Sequence, residues 1–178
     1  LRPCSPRRAR RRCHRDVAPM KRIEGLSLGF IGIHAGRRKT QPVSQNETLA
    51  NLFERDGFVV RRSSAVKRPS LRTLHHGWSL LTWQKVDVVI VAVFSGPSFF
   101  IAEYAVALSK LFSRRKVVLF LHGGKLGEWE QKHPRRVRWA FAQADRIYAP
   151  SGFLAQQFRD RGYDVGIIPN VLALDRYT

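Results

Sequence analysis

The chain has 178 residues, 44% of them hydrophobic and 11% aromatic, with 32 Lys and Arg against 13 Asp and Glu. That length and apolar content are incompatible with a wholly disordered or fibrous protein and suit one domain around one substantial core. The formal charge of +19 calls for an anionic counterpart: nucleic acid, a membrane surface or a phosphorylated substrate.

The charge is uneven along the chain. Residues 1–19 hold seven arginines and one acid, Asp16, with almost no apolar side chains. Such a stretch builds no core and is expected to be a disordered arm or a start-site extension, with the folded part beginning near Met20. Removing those seven positive charges and one negative charge leaves +13, so the basic balance survives. Cys4 and Cys13 both fall in the arm, so nothing argues for a disulfide framework, and with His14 they match no zinc-module spacing. No apolar segment of signal-peptide length follows the arginines directly.

From Leu26 onward, strand and helix signals alternate. Leu26–His34 is a short apolar run that reads as a buried strand. Ser44-Gln45-Asn46-Glu47 is a capping-box pattern, followed by Leu49, Leu52 and Phe53 on one helical face and by Gly57 as a stop. Phe58–Val60 opens a second strand, and Leu71, Leu74, Trp78 and Leu81 predict a second amphipathic helix. Val86–Phe94 is a third strand; Ile101, Tyr104, Ala105, Leu108, Leu111 and Phe112 mark a third helix. The apolar stretch from Val88 to Leu108 has the length of a membrane span. Ser95-Gly96-Pro97-Ser98 and Glu103 interrupt it, so a strand followed by a buried helix is the better reading. Val117–Leu121 is a fourth strand, ending in His122-Gly123-Gly124, and Pro134 suits the first turn of a helix through Ala144. Arg146–Ala149 reads as a fifth strand, Ser151 caps a helix to Gly162, and Val165–Ile168 is a sixth strand closed by Pro169-Asn170.

Strands apolar on both faces, alternating with helices, belong to a mainly parallel sheet covered on both sides: a doubly wound, Rossmann-like α/β fold. Such sheets take ligands at the carboxyl ends of their strands, which directs attention to the loops there. Gly36, Arg37, Arg38, Lys39 and Thr40 follow the first strand and precede a helix, a setting in which backbone amides and cations favour a phosphate. They do not form a dinucleotide fingerprint, and Gly124-Lys125-Leu126 is not a Walker A sequence. His122, at the rim of the fourth strand, suits a hydrogen bond to a sugar hydroxyl or phosphate, with Gly123 and Gly124 allowing close backbone approach. His75 and His76 point about 100° apart on a helix and read as surface residues, while Trp78, Trp83 and Trp139 read as core or interface. Glu128, Glu130 and His133 read as an exposed loop before the Pro134 helix. The basic clusters are Arg61-Arg62, Lys67-Arg68, Arg114-Arg115-Lys116 and Arg135-Arg136-Arg138. Arg135, Arg136 and Arg138 alternate with Val137, Ala140, Phe141 and Ala144, a basic amphipathic element suited to an anionic membrane surface.

The segment from Val117 to Thr178 resembles the N-terminal half of retaining glycosyltransferases of family 4, of the two-Rossmann-domain GT-B type. The residues that carry the resemblance are His122-Gly123-Gly124 after a strand, Ala144-Asp145-Arg146-Ile147-Tyr148-Ala149-Pro150-Ser151, and Gly166-Ile167-Ile168-Pro169-Asn170-Val171 followed by Leu174-Asp175-Arg176-Tyr177. The resemblance implies a domain over 20–170 and the start of an interdomain linker over 171–178. It implies that His122 contacts the donor sugar and that the Gly36 loop approaches the donor diphosphate or the acceptor. Arg37 and Arg38 stand there in place of the family's paired glycine. It also implies cleft-rim positions for Ser151 and Asn170.

In that family a C-terminal domain holds the nucleoside-diphosphate sugar, and this chain stops where it would begin. The expectation is therefore an acceptor-binding half-enzyme, inactive alone, with a nucleoside-diphosphate sugar as co-substrate and no metal or other cofactor required. Its acceptor would be lipid-linked or phosphorylated, and its place the cytoplasm or the cytoplasmic face of a membrane. The rivals are a basic nucleic-acid-binding module, for which no binding motif appears, and a non-catalytic subunit that pairs with a separate donor-binding chain.

Overall fold

The computed structural model describes residues 25–32, 44–63, 69–83, 85–111 and 115–171. The N-terminal arm, the Gly36–Thr40 loop, Lys67-Arg68, Phe112, Arg114 and the terminal Leu174–Tyr177 motif lie outside them. The strands β1 (Ser27–Ile31), β2 (Val59–Ser63), β3 (Val88–Val93), β4 (Lys116–Leu121), β5 (Arg146–Ala149) and β6 (Gly166–Ile167) form one sheet in the order β2-β1-β3-β4-β5-β6. Every pairing is parallel, as the unbroken apolar strands predicted. The helices are α1 (Gln45–Arg55), α2 (Pro69–Thr82), α3 (Phe99–Leu111), α4 (Leu126–Lys132), α5 (Pro134–Gln143) and α6 (Gly152–Arg159). A 3-10 turn, Gly96–Ser98, separates β3 from α3. Among the described residues no helix is long and apolar enough to cross a membrane.

Caps and small turns set the element ends. Ser44 Oγ accepts from the Glu47 amide at 3.3 Å, and Gly57 leaves α1 at φ +90°. Pro134 occupies the first turn of α5, and Ser151 Oγ accepts from the Leu154 amide at the start of α6. Two aspartates stitch the amino ends of neighbouring strands. Asp87, just before β3, accepts from the Ser27 amide of β1 at 2.8 Å. Asp145, just before β5, accepts from the Val117 amide of β4 at 2.9 Å and from Lys116 at 3.0 Å. Burial alone would raise the Asp145 pKa; the Val117 amide with Lys116 and Lys110 outweighs it and holds the carboxyl below its ordinary value.

The two faces of the sheet are covered unequally. On one side Ile31, Val89, Val91, Val93, Val117, Leu119 and Leu121 meet buried residues of α2 through α6, including Leu80, Phe99, Leu126, Phe141 and Phe158. On the other, Leu28, Phe30 and Ile90 meet Ala50, with Leu49 and Phe53 of α1 packed around them. Among the described residues, one helix thus covers one face and five cover the other.

The structure corrects four local expectations. The segment after Gly124 is a helix, α4, rather than an exposed loop: Leu126, Gly127 and Glu130 are buried, and Glu130 accepts from Arg161 at 3.0 Å and Tyr163 at 3.2 Å. At seven residues it is too short to leave a readable period in the sequence. His76 is fully buried rather than at the surface, with its Nδ1 2.6 Å from Ser63 Oγ. Arg115 is buried instead of belonging to a solvated basic cluster; its guanidinium donates to the Leu80 and Trp83 carbonyls, each at 2.5 Å.

The fourth correction concerns α2. Leu71, Leu74, Trp78 and Leu81 are exposed, and the helix turns His76, Gly77, Ser79 and Leu80 inward. Trp83 is core as expected, whereas Trp78 and Trp139 are exposed. The cause is polar. The His76–Ser63 pair and the Arg115 cap on the last turn of α2 each satisfy buried groups that cost more when left unpaired than exposed leucines do. Gly77 also faces Tyr104 of α3, where any Cβ would collide with the phenol. These contacts fix the rotation of α2 about its axis.

Arg115→Leu is therefore expected to lower the unfolding free energy by about 3 kcal/mol, the scale of two charge-assisted hydrogen bonds lost from buried carbonyls. Urea denaturation measures it. A loss under about 0.5 kcal/mol would mean that the guanidinium does not hold α2 in place.

Candidate functional site

In a sheet of this order the chain leaves β1 toward β2 on one side, while every later strand is added on the other. The order therefore reverses between β1 and β3, and folds of this class take ligands at the carboxyl ends of the strands beside that switch point. The residues at this edge are Gly32 after β1, Phe94-Ser95 after β3, His122-Gly123-Gly124 after β4, Pro150-Ser151 after β5 and Ile168-Pro169-Asn170 after β6.

His122 is the best-positioned chemical group among them. Its backbone amide donates to the Val93 carbonyl at 2.8 Å, which ties the end of β4 to that of β3. Its imidazole stacks on Phe94 at 5.2 Å with 17° between planes and tilts against Phe120 at 5.0 Å. Nε2 is buried without a hydrogen-bond partner. Desolvation by this aromatic setting lowers the pKa to about 4. The ring is therefore neutral at physiological pH, oriented on two faces, and holds one nitrogen uncommitted. Gly123 follows at φ +89°, a conformation that L side chains rarely adopt, and Gly123 and Gly124 are both exposed. An uncharged donor or acceptor beside open backbone is suited to a hydroxyl-rich or anionic ligand.

The other sequence-selected positions are distributed along the edge. Ser151 is exposed, and its hydroxyl is engaged as the cap of α6. Asn170 is exposed beyond β6. The strand order puts β5 next to β4 and β6 beyond it, with Tyr148 of β5 opposite Phe120 of β4. Gly36, Arg37, Arg38, Lys39 and Thr40 lie outside the described residues. Glu130, tied to Arg161 and Tyr163, is a packing group, and Glu128 is exposed on α4.

Two groups escaped the sequence reading. In the sequence Phe94 reads as the end of the third strand; in the structure it supplies the platform for His122. On the first turn of α1, Asn46 is buried with Oδ1 unpartnered, and Gln45 Nε2 is likewise unpartnered. Asn46 lies directly against Gly32 at the carboxyl end of β1. Asparagine and glutamine inside a capping box drew attention only as part of the cap.

The basic clusters divide once partners are known. Arg62 is bidentate on Glu54, at 2.5 and 2.8 Å, and reaches Asn51. Arg136 pairs with Glu103 at 2.5 and 2.8 Å. Arg135 and Arg138 are exposed on α5, but Val137, Ala140 and Phe141 of the same helix are buried in the core. Trp139 is the large apolar residue that α5 leaves exposed, at 45%.

A model of the family described as Glycosyltransferase Family 4 matches residues 34–176. No curated protein matches the chain significantly. One similar solved chain belongs to the crystal structure of the P1 domain of CheA3 in complex with CheY6 from R. sphaeroides. Its identity is 16% and its TM-score 0.40, over 77% of this chain and 95% of that one.

The His122 environment has a measurable consequence. With the folded pKa near 4 and the unfolded value near ~6.5, this ring costs nothing above about pH 6.5. As pH falls from there toward 4, the unfolded chain takes up the proton first, and the folded state loses about 3 kcal/mol in total. The His122 imidazole resonances are expected to remain those of a neutral ring down to about pH 4. An inflection near the unperturbed value of ~6.5 would contradict the buried, stacked setting.

Proposed function

The chain belongs to Glycosyltransferase Family 4, and on that premise we propose that it is the acceptor-side domain of a sugar-transfer enzyme whose donor is a nucleoside-diphosphate sugar. In the full reaction the bond from the anomeric carbon to the diphosphate oxygen breaks and one to an acceptor oxygen forms, with retention. The observation that carries the reading is His122: a neutral imidazole with an uncommitted nitrogen at the carboxyl edge of β4, one strand from the β1/β3 switch point. A neutral ring hydrogen-bonds a sugar hydroxyl without placing a fixed charge beside the reacting carbon. The exposed Gly123-Gly124 backbone admits a ligand at close range.

On this reading the diphosphate is held mainly by a second domain, and Arg37, Arg38 and Lys39 supply cations from this side. Cations and backbone amides then carry the leaving-group charge without a metal. The acceptor is a lipid-linked or phosphorylated molecule, in keeping with a charge of +19.

Two outcomes are expected. The purified chain transfers no sugar from a panel of nucleoside-diphosphate sugars to alkyl-phosphate acceptors; robust turnover by the chain alone would refute the half-enzyme reading. The His122 ring resonances shift on addition of the same donors or acceptors, and His122→Phe abolishes binding without loss of folding. Binding retained in His122→Phe would remove this residue from the site.

A further inference from the structure

A second concavity lies at the opposite, amino edge of the sheet. The turn from α5 into β5 and the turn from α6 toward β6 enclose a pocket of about 470 Å³ there. Its floor is apolar. Phe141 of α5 and Ile147 of β5 are buried, and the half-buried Tyr163 ring packs edge-on against Phe141 at 5.1 Å. One wall is fixed before any ligand arrives. Arg161 donates to the Gly127 carbonyl at 2.9 Å and to Glu130 at 3.0 Å, and the Tyr163 hydroxyl donates to the same carboxylate at 3.2 Å. The rim is cationic. Arg138 of α5 turns toward the Tyr163 hydroxyl, and Arg146 of β5 spends one donor on the Asp145 carbonyl at 2.9 Å. Both arginines are exposed, and among the described residues neither pairs with a carboxylate. Two carboxylates also line the pocket. Asp145 is taken up by the Val117 amide and by Lys116 and Lys110, and Asp164 is exposed on the turn. Counting lining residues with their ionic partners, five cations (Arg138, Arg146, Arg161, Lys110 and Lys116) face three carboxylates (Asp145, Asp164 and Glu130), which leaves two positive charges.

We infer that this pocket binds a small phosphate monoester with an aromatic body, of mononucleotide size. The phosphate sits between Arg138 and Arg146, and the ring lies over Tyr163, Phe141 and Ile147. Charge, donor geometry and volume together select this ligand. A phosphate monoester carries about −1.5 to −2 at neutral pH, which matches the balance of the cluster. Guanidinium groups present several donors to one anion, and their hydrogen bonds to charged oxygens are the strong kind. The volume lies within the span of small-molecule sites, roughly 300–1,000 Å³, which combine an apolar lining with a few polar groups that fix orientation. Inorganic phosphate leaves the apolar floor uncovered, and an uncharged ring leaves both arginines unused. The pocket shares no residue with the carboxyl edge of the sheet, so the inference stands whether or not His122 contacts a sugar.

The test is calorimetric titration of the full chain with phenyl phosphate and with adenosine monophosphate, beside inorganic phosphate and adenosine. Both aromatic phosphates are expected to bind more tightly than either inorganic phosphate or adenosine. Arg138→Gln combined with Arg146→Gln lowers their affinity at least about tenfold, the scale of one lost hydrogen bond to a charged group. His122→Phe leaves that affinity unchanged, which separates this pocket from the carboxyl edge. Both arginines are exposed, so the thermal midpoint serves as the folding control. The amide resonances of Ala144 and Gly162 in the unaltered chain shift during the same titration, a readout that needs no variant. The inference is overturned by no binding of the aromatic phosphates at millimolar concentration, by undiminished binding in the double arginine variant, or by inorganic phosphate binding as tightly as its esters. Loss of binding in His122→Phe would overturn it as well, by placing the ligand at the carboxyl edge.

Discussion

A parallel strand pair cannot be closed by a hairpin, so each connection must cross a face of the sheet, and crossovers are right-handed. In this chain only the first connection runs toward one edge; the rest run toward the other. Among the described residues, that single reversal leaves α1 alone on one face and places five helices on the opposite face. It also puts the switch point of the strand order between β1 and β3. The stitching by Asp87 and Asp145 holds the amino ends of the strands in register. The position of His122 follows: its amide is bonded to the end of β3, and its ring rests on Phe94 and Phe120.

The crowding of five helices on one face has a second consequence. α3 lies between α2 and α5, and α2, toward one edge of the layer, has core contacts on one side only. Its rotation is set by Arg115, by the His76–Ser63 pair and by the close approach of Gly77 to Tyr104. Those contacts leave its most apolar stripe facing outward. A contiguous exposed stripe of this kind marks an interaction surface or an aggregation hazard.

The large net charge divides on inspection. Arg62, Arg115, Arg136 and Arg161 are committed to carboxylates or carbonyls within the fold. They contribute to the count without forming an interaction surface. The charge available to an anionic partner is therefore smaller than the sequence count.

The strand runs, the caps at Ser44 and Ser151, the proline entry to α5 and the parallel sheet were all legible in the amino-acid order, because they depend on neighbours within a few residues. So was the His122-Gly123-Gly124 turn at the end of a buried strand, since strand ends define where such folds place ligands. The apolar period of α2 was equally visible, but periodicity reports that a helix has an apolar side and is silent on which way that side faces. That choice belonged to partners far away in sequence: Arg115, some 35 residues from the Leu80 carbonyl it caps, and Tyr104 against Gly77. The burial of His76 and the short α4, with its glutamate tied to Arg161 and Tyr163, were decided in the same way. Local order established which elements form. Only the folded chain, by pairing buried polar groups across long separations, determined how each helix is turned and so which of its residues meet the outside.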